Sequence, residues 1–230
     1  GEAQWGWVLT RPDNQGSIIH GLGESILGGL GICQRRNALN AWGMNSPVTF
    51  SAVLLAAGRS TRMGEDKALL SVGDLPLWRR QWALLARAGV GEILLSARPD
   101  QTWVPDKISV VRDTKADAGP LAGITAALAQ MRHSHLLVLA VDLPAMEASW
   151  FAELMKLCTP GVGVVGRQAG FFEPLAAIYP RELLGAAEAA LSGGEYALQR
   201  FIASTGAAMR HRAIAPGESP WFENWNEPGI

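Results

Sequence analysis

The hydrophobic pattern changes character near residue 48. Before it, an apolar set (Ile18, Ile19, Leu22, Ile26, Leu27, Leu30) is broken by Gly16, Gly21, Gly23, Gly28, Gly29 and Gly31. Each glycine inside a helix costs about 1 kcal/mol relative to alanine, so residues 1–47 predict no autonomous helix and read as a Gly-rich, partly ordered N-terminal extension. From residue 48 the pattern is regular. Residues 48–56 (VTFSAVLLA) form an apolar run between Pro47 and Gly58 and predict a buried strand. Residues 76–88 (PLWRRQWALLARA) place Trp78, Trp82 and Leu85 at helical spacing, with Gly89 and Gly91 just beyond. Residues 92–97 (EILLSA) and 107–111 (KISVV) predict two more strands, the second edge-like. Residues 120–131 predict a helix entered through Pro120. Residues 135–141 (HLLVLAV) predict a strand covered on both faces. Residues 148–157 predict a helix, 162–165 and 174–179 strands, and 181–191 and 195–202 helices.

This alternation specifies an α/β fold with a mostly parallel sheet wrapped by helices on both faces. Ligands in such folds sit at the carboxyl ends of the strands. Three polar features fall there: the loop after the first strand, Asp113 after Val111, and Asp142 after Val141.

Composition narrows the classes. The chain has 230 residues, 48% of them hydrophobic, with 20 Lys+Arg against 21 Asp+Glu. That near-zero net charge supplies no basic stripe, so nucleic acid is not an expected partner. Two cysteines, Cys33 and Cys158, exclude a disulfide framework and a Cys-rich zinc site. No uncharged apolar run reaches the ~18 residues of a membrane span, and no signal peptide is recognisable. A cytoplasmic protein is therefore expected. The four histidines form no ligand cluster. His133 and His135 read as solvated residues at a helix-to-strand join, and Ser60 lacks a His/Asp constellation for hydrolase chemistry.

The first loop, Gly58 to Lys67, joins small residues to charge. Gly58 and Gly64 allow close approach of backbone N–H groups to an anion, and Arg62 and Lys67 offer cations for phosphate oxygens. Neither the GxxxxGK[ST] nor the GxGxxG spacing is present. The stretch LAAGRSTRMGEDKALL (55–70) resembles the signature loop of nucleotidyltransferases, most closely the molybdenum cofactor guanylyltransferase group, with its LAGGxSxRMGxDKxLL pattern. Ala57 departs from the usual Gly and is more frequent in cytidylyltransferase relatives. Four later stretches resemble the same group: Asp113 with GPLAGI (119–124), VDLP (141–144), EPLAAIY (173–179) and FENWNEP (222–228). The resemblance spans about residues 51–228, so residues 48–230 read as one nucleotidyltransferase domain and residues 1–47 lie outside it. Relatives continue into a final helix beyond the closing motif, so the C-terminus here is expected to be short.

The resemblance implies a Rossmann-like three-layer fold of the nucleotide-diphospho-sugar transferase type. It implies transfer of GMP from GTP to molybdopterin, with Mg²⁺ as cofactor and pyrophosphate as second product. Lys67 and Arg62 would steady the β/γ-phosphates. Leu55, Ala56, Ala57 and Gly58 would meet the nucleotide through their backbone, and Ser96 falls at a position lining the base pocket, an Asn in many members. Asp113 and Gly119 would contact the nucleotide. Asp142, a carboxylate ending an apolar strand, would be both metal ligand and nucleotide contact. Glu173, Asn224 and Asn226 are candidates for the acceptor side, with Trp221 and Trp225 beside them. A molybdoenzyme or another cofactor-biosynthesis protein is the expected protein partner, if any. Two other readings stay open: a nucleotidyl transfer with a different base or acceptor (CTP with molybdopterin, or a sugar phosphate), and a non-catalytic molybdopterin carrier, against which intact Lys67, Arg62 and Asp142 argue.

Overall fold

The structure is a computed structural model that describes residues 47–58, 66–112 and 118–225. Arg62, Asp113 and Asn226 lie outside the described residues. The elements follow in the order β1 (Phe50–Leu55), a 3-10 turn at Lys67–Leu69, the small hairpin β2 (Ser71–Val72) and β3 (Leu75–Pro76), α1 (Leu77–Arg87), β4 (Glu92–Ser96), β5 (Val110–Val111), α2 (Pro120–Gln130), β6 (His135–Ala140), α3 (Ala148–Leu157), β7 (Gly163–Gln168), β8 (Phe171–Pro180), α4 (Leu184–Ser192), α5 (Leu198–Ser204) and β9 (Met209–Ala213). A last 3-10 segment runs Pro216–Phe222.

The described residues form a seven-stranded sheet in the order β5-β4-β1-β6-β8-β7-β9. β8 alone runs against its neighbours, and the other six strands point one way. The chain leaves β1 toward β4 and β5, then returns to the other side of β1 as β6. The crevice above β1 is therefore the topological switch point of the sheet.

Strand alternation divides the core into two layers. Ala52 and Leu54 of β1 face α1 and α3, where Leu77, Leu85, Trp150, Phe151 and Leu154 are buried. Val53 and Leu55 face the opposite layer of α2, α4 and α5, with Leu121, Ile124, Leu128, Ala187 and Phe201. This is the expected three-layer arrangement. β6 is buried at every position, as a central strand covered on both faces must be. No helix among the described residues is long and apolar enough to cross a membrane.

The sequence pattern predicts neither β9 nor the β2–β3 hairpin, and β5 keeps only two of the expected residues 107–111. Two further differences have a local physical reason. β8 begins at Phe171, three residues before the run it was expected to occupy, and Pro174 lies inside it. The register with β7 shifts between Val164 and Gly166, and such irregularities are where a ladder tolerates proline. The Tyr179 hydroxyl, fully buried, donates to the Pro174 carbonyl at 2.8 Å and satisfies it. Second, His135 is not solvated. It is 0% exposed, with Nε2 3.2 Å from the Val162 carbonyl and Nδ1 3.0 Å from the Ser134 hydroxyl. A neutral imidazole satisfies both contacts, one nitrogen donating and the other accepting. Burial holds its pKa below the ordinary value of 6.5.

Trp150 ties the C-terminal segment to the sheet. Its indole N–H donates to the Ala176 carbonyl at 2.8 Å, Phe222 meets the ring edge-on with centroids 4.9 Å apart, and the Arg212 guanidinium sits 4.5 Å from the ring centroid. Arg212 in turn makes two 2.8 Å bonds to the Glu218 carboxylate, which hold that carboxyl below the usual range.

Candidate active site

A cleft of about 810 Å³ opens at the carboxyl ends of the central strands. The chain leaving β1 contributes Leu55, Ala56, Ala57 and Gly58. The chain leaving β4 contributes Ser96 and Arg98, that leaving β5 contributes Arg112, and that leaving β6 contributes Asp142. Lys67, at the start of the 3-10 turn, and Gly119, at the entry to α2, also line the wall, with Asp66 and Asp100 as further carboxylates and Leu175 of β8 as an apolar side. Of the residues expected at the nucleotide, every one that is described reaches this single cleft.

Local causes place each group. Asp142 is the second residue after the buried β6, so its position is set by the core. The Val141 N–H donates to the Leu55 carbonyl at 3.0 Å, and the Asp142 carbonyl accepts from the Trp225 N–H at 2.9 Å. The next two residues are pinned from α1: the buried Gln81 amide donates to the Leu143 carbonyl, and Arg80 Nε to the Pro144 carbonyl at 3.2 Å. Gly119 adopts φ 67°, ψ −166°, a backbone conformation essentially confined to glycine. That residue turns the chain into α2 beside the cleft, with Pro120 in the first turn, where its missing N–H costs nothing.

The cleft wall carries the cations Lys67, Arg98 and Arg112, together with the N-terminal end of α2. A helix N-terminus presents unsatisfied N–H groups and the positive end of its dipole. Asp142 brings a carboxylate to the same space. Among the described residues no group of three or more His, Cys, Asp and Glu side chains could cage a metal ion. Asp66 and Asp100 also line the cleft, but they bond to Gln101, Trp103 and Arg98. The Asp142 carboxylate in a cleft that also holds cations suits Mg²⁺, which commonly takes one or two carboxylates and completes its shell with substrate phosphates and water.

The acceptor-side candidates stand apart from this wall. Glu173 lies in β8 two residues before Leu175, half-buried, and desolvation raises its carboxyl above the ordinary range. Asn224 is exposed, beside the Trp225 whose N–H reaches the Asp142 loop. Trp221 and Trp225 pack partly buried against the α1/α3 layer. Arg98, Gln101, Trp103 and Arg112 were not singled out from the sequence. Arg98 and Arg112 lie within two residues of strand ends, so the strand-end rule that found Asp142 would also have found them.

Residues 52–211 match the MobA-like NTP transferase domain family. The chain belongs to that family. It is thus a nucleotidyltransferase, of a kind that is generally metal-dependent. Among its relatives, a "Probable molybdenum cofactor guanylyltransferase" of Opitutus terrae is 42% identical over 183 residues, covering 77% of this chain and 91% of that protein. The molybdenum cofactor guanylyltransferase of Pseudomonas fluorescens is 34% identical over 191 residues, covering 81% and 94%. Among solved structures, molybdopterin-guanine dinucleotide biosynthesis protein A from Archaeoglobus fulgidus superposes with a TM-score of 0.62 at 19% identity, over 77% of this chain and 93% of that one. A 4-diphosphocytidyl-2C-methyl-D-erythritol synthase from Anaerococcus prevotii gives 0.54 at 11% identity, over 74% and 91%. Those likenesses establish the fold, and the second shows that the fold alone does not choose the base.

Proposed function

We propose that this chain transfers GMP from GTP to molybdopterin, forming molybdopterin guanine dinucleotide and releasing pyrophosphate, with Mg²⁺ as cofactor. The observation that carries the reading is the convergence of the signature loop's Lys67 and the strand-end Asp142 on one cleft, in a chain 42% identical to a relative of that name. An oxygen of the acceptor phosphate bonds to the α-phosphorus of GTP, the bond from that phosphorus to the bridging oxygen of the β-phosphate breaks, and pyrophosphate leaves. The protein's part is alignment and offset of developing negative charge. Lys67 and Arg62 hold the β- and γ-phosphates as they become pyrophosphate. Gly119 lets a phosphate approach the α2 N-terminus closely. Leu55–Gly58 and Ser96 line the nucleotide side, joined by Asp113, and Glu173, Asn224 and Asn226 serve the acceptor. Asp142 would hold the Mg²⁺. Held there, the Mg²⁺ would supply positive charge that offsets part of the charge on the phosphates. Residues 1–47 stand outside this catalytic domain.

Asp142→Ala is expected to lower Mg²⁺-dependent pyrophosphate release at least ~100-fold, the scale on which electrostatic groups act in transfer chemistry, with the folded state retained by circular dichroism. Unchanged release would remove Asp142 from the mechanism. Ala57 favours a second reading, CMP transfer from CTP to the same acceptor.

A further inference from the structure

The signature loop has a feature to which nucleotide transfer assigns no role: the acidic residue just before Lys67. The structure ties Asp66 to the other end of the loop through one short segment after β4. At the entry, Gln101 Nε2 donates to the Ala56 carbonyl at 2.9 Å. Arg98 Nη1 donates to the carbonyls of Ala57 and Gly58 at 2.9 and 2.7 Å. At the exit, Asp66 Oδ2 accepts from the same Gln101 Nε2 at 2.6 Å and from Trp103 Nε1 at 2.8 Å, with Arg98 Nη2 at 3.9 Å. Asp66 Oδ1 accepts from the Ala68 N–H at 3.1 Å and caps the 3-10 turn that carries Lys67. The clamp is itself fixed. Gln101 is 7% exposed, its Oε1 accepts from the Arg98 N–H at 2.6 Å, and Trp103 packs on Trp78 of α1 with ring centroids 5.4 Å apart.

Two consequences follow. The carbonyls of Ala56 and Ala57 are turned toward Gln101 and Arg98. In a planar trans peptide the N–H of the next residue points the opposite way, so the N–H groups of Ala57 and Gly58 are aimed away from the clamp. Arg98, ion-paired with Asp100 at 3.1 Å, fixes those carbonyls and leaves the N–H groups opposite them unobstructed by the clamp. At the other end, the direction in which Lys67 leaves the turn depends on a cap whose carboxylate is held by Gln101 and Trp103.

We propose that Asp66, Gln101, Trp103 and Arg98 form a clamp that presets the two ends of the nucleotide loop, with Asp66 as the positioning residue for Lys67. A loop set before the ligand arrives avoids the ordering cost that otherwise weakens binding, and apparent affinity scales with the fraction of molecules already in the competent conformation. This inference rests on the nucleotide-site reading above.

The test measures Mg·GTP dissociation constants and steady-state parameters for Asp66→Asn, Trp103→Phe, Lys67→Ala and the double variant Asp66→Asn/Lys67→Ala, in the full chain. Asp66→Asn keeps the shape but places an amide among donors. Trp103→Phe deletes only one donor while keeping an aromatic ring against Trp78. Urea midpoints identify any variant that has merely lost stability. The clamp predicts ~10-fold weaker GTP binding for Asp66→Asn, about one to two lost hydrogen bonds' worth, and a loss of ~2–5-fold for Trp103→Phe. KM should rise more than kcat falls. It also predicts non-additivity: once Lys67 is alanine, Asp66→Asn should cost little more. Full additivity in the double variant, or unchanged GTP affinity in Trp103→Phe and in a folded Asp66→Asn, overturns the clamp. If Lys67→Ala itself leaves GTP binding and turnover unchanged, the nucleotide-site reading fails instead.

Discussion

Trp150 is the side chain through which the C-terminal segment is seated, and its truncation has a calculable cost. Trp150→Phe removes the indole N–H that satisfies the buried Ala176 carbonyl at 2.8 Å. An orphaned buried acceptor costs about 1–3 kcal/mol. The smaller ring also leaves space beside Gly166, whose missing Cβ would stand only 2.9 Å from the indole, and weakens the edge-on contact with Phe222, a pair worth about 0.5–1.5 kcal/mol. Together these give a destabilisation of about 3 kcal/mol. For a chain of this size each kcal/mol moves Tm by about 2–4 °C, so the variant should melt about 6–12 °C lower. Urea denaturation should show a lower midpoint with an unchanged slope, the signature of lost stability without a changed unfolded state. A loss below about 1 kcal/mol would refute the reasoning, because neither the carbonyl nor the ring contact would then depend on the indole.

Two further predictions concern stability. Burial depresses the His135 pKa in the folded state, so its contribution is fully present above pH 6.5, the unfolded value, and is lost as pH falls through 6.5 toward the folded pKa; His135→Gln should flatten the urea midpoint against pH in that window, and an unaltered slope would contradict it. A Cβ at Gly163 would lie 2.1 Å from the Ile178 carbonyl oxygen, so Gly163→Ala should cost about 1–3 kcal/mol by overpacking, whereas Gly185→Ala, in open space on α4, should gain about 0.4–1 kcal/mol; midpoints moving in the same direction would sink this contrast.

The parallel centre of the fold was legible because strands buried on both faces are continuously apolar, and 135–141 could hardly be anything else. The edges were not. β9 (MRHRA) has one buried position, three exposed ones and a half-buried arginine, so it carries no hydrophobic signal, and β5 is reduced to two residues. The reversal of β8 left no local trace, since pairing direction is decided by partners distant in sequence. Pro174 hid the strand's start because proline normally marks its absence. In the site, Lys67, Asp142 and the β1 loop were legible through motif spacing. The clamp was not. Gln101 and Trp103 lie beyond any strand end, and their roles exist only once the β4 segment folds over the loop. His135 misled for a related reason: its polarity suggested exposure, whereas Val162 and Ser134 satisfy both ring nitrogens inside the protein.

The central claim is the reaction itself, and its most direct measurement is turnover of GTP and CTP side by side with molybdopterin and Mg²⁺, reading the dinucleotide product and pyrophosphate. The account predicts molybdopterin guanine dinucleotide as the product, stoichiometric pyrophosphate, and kcat/KM higher for GTP than for CTP. A preference for CTP would contradict the choice of base, and no pyrophosphate with either nucleotide would contradict nucleotidyl transfer to molybdopterin.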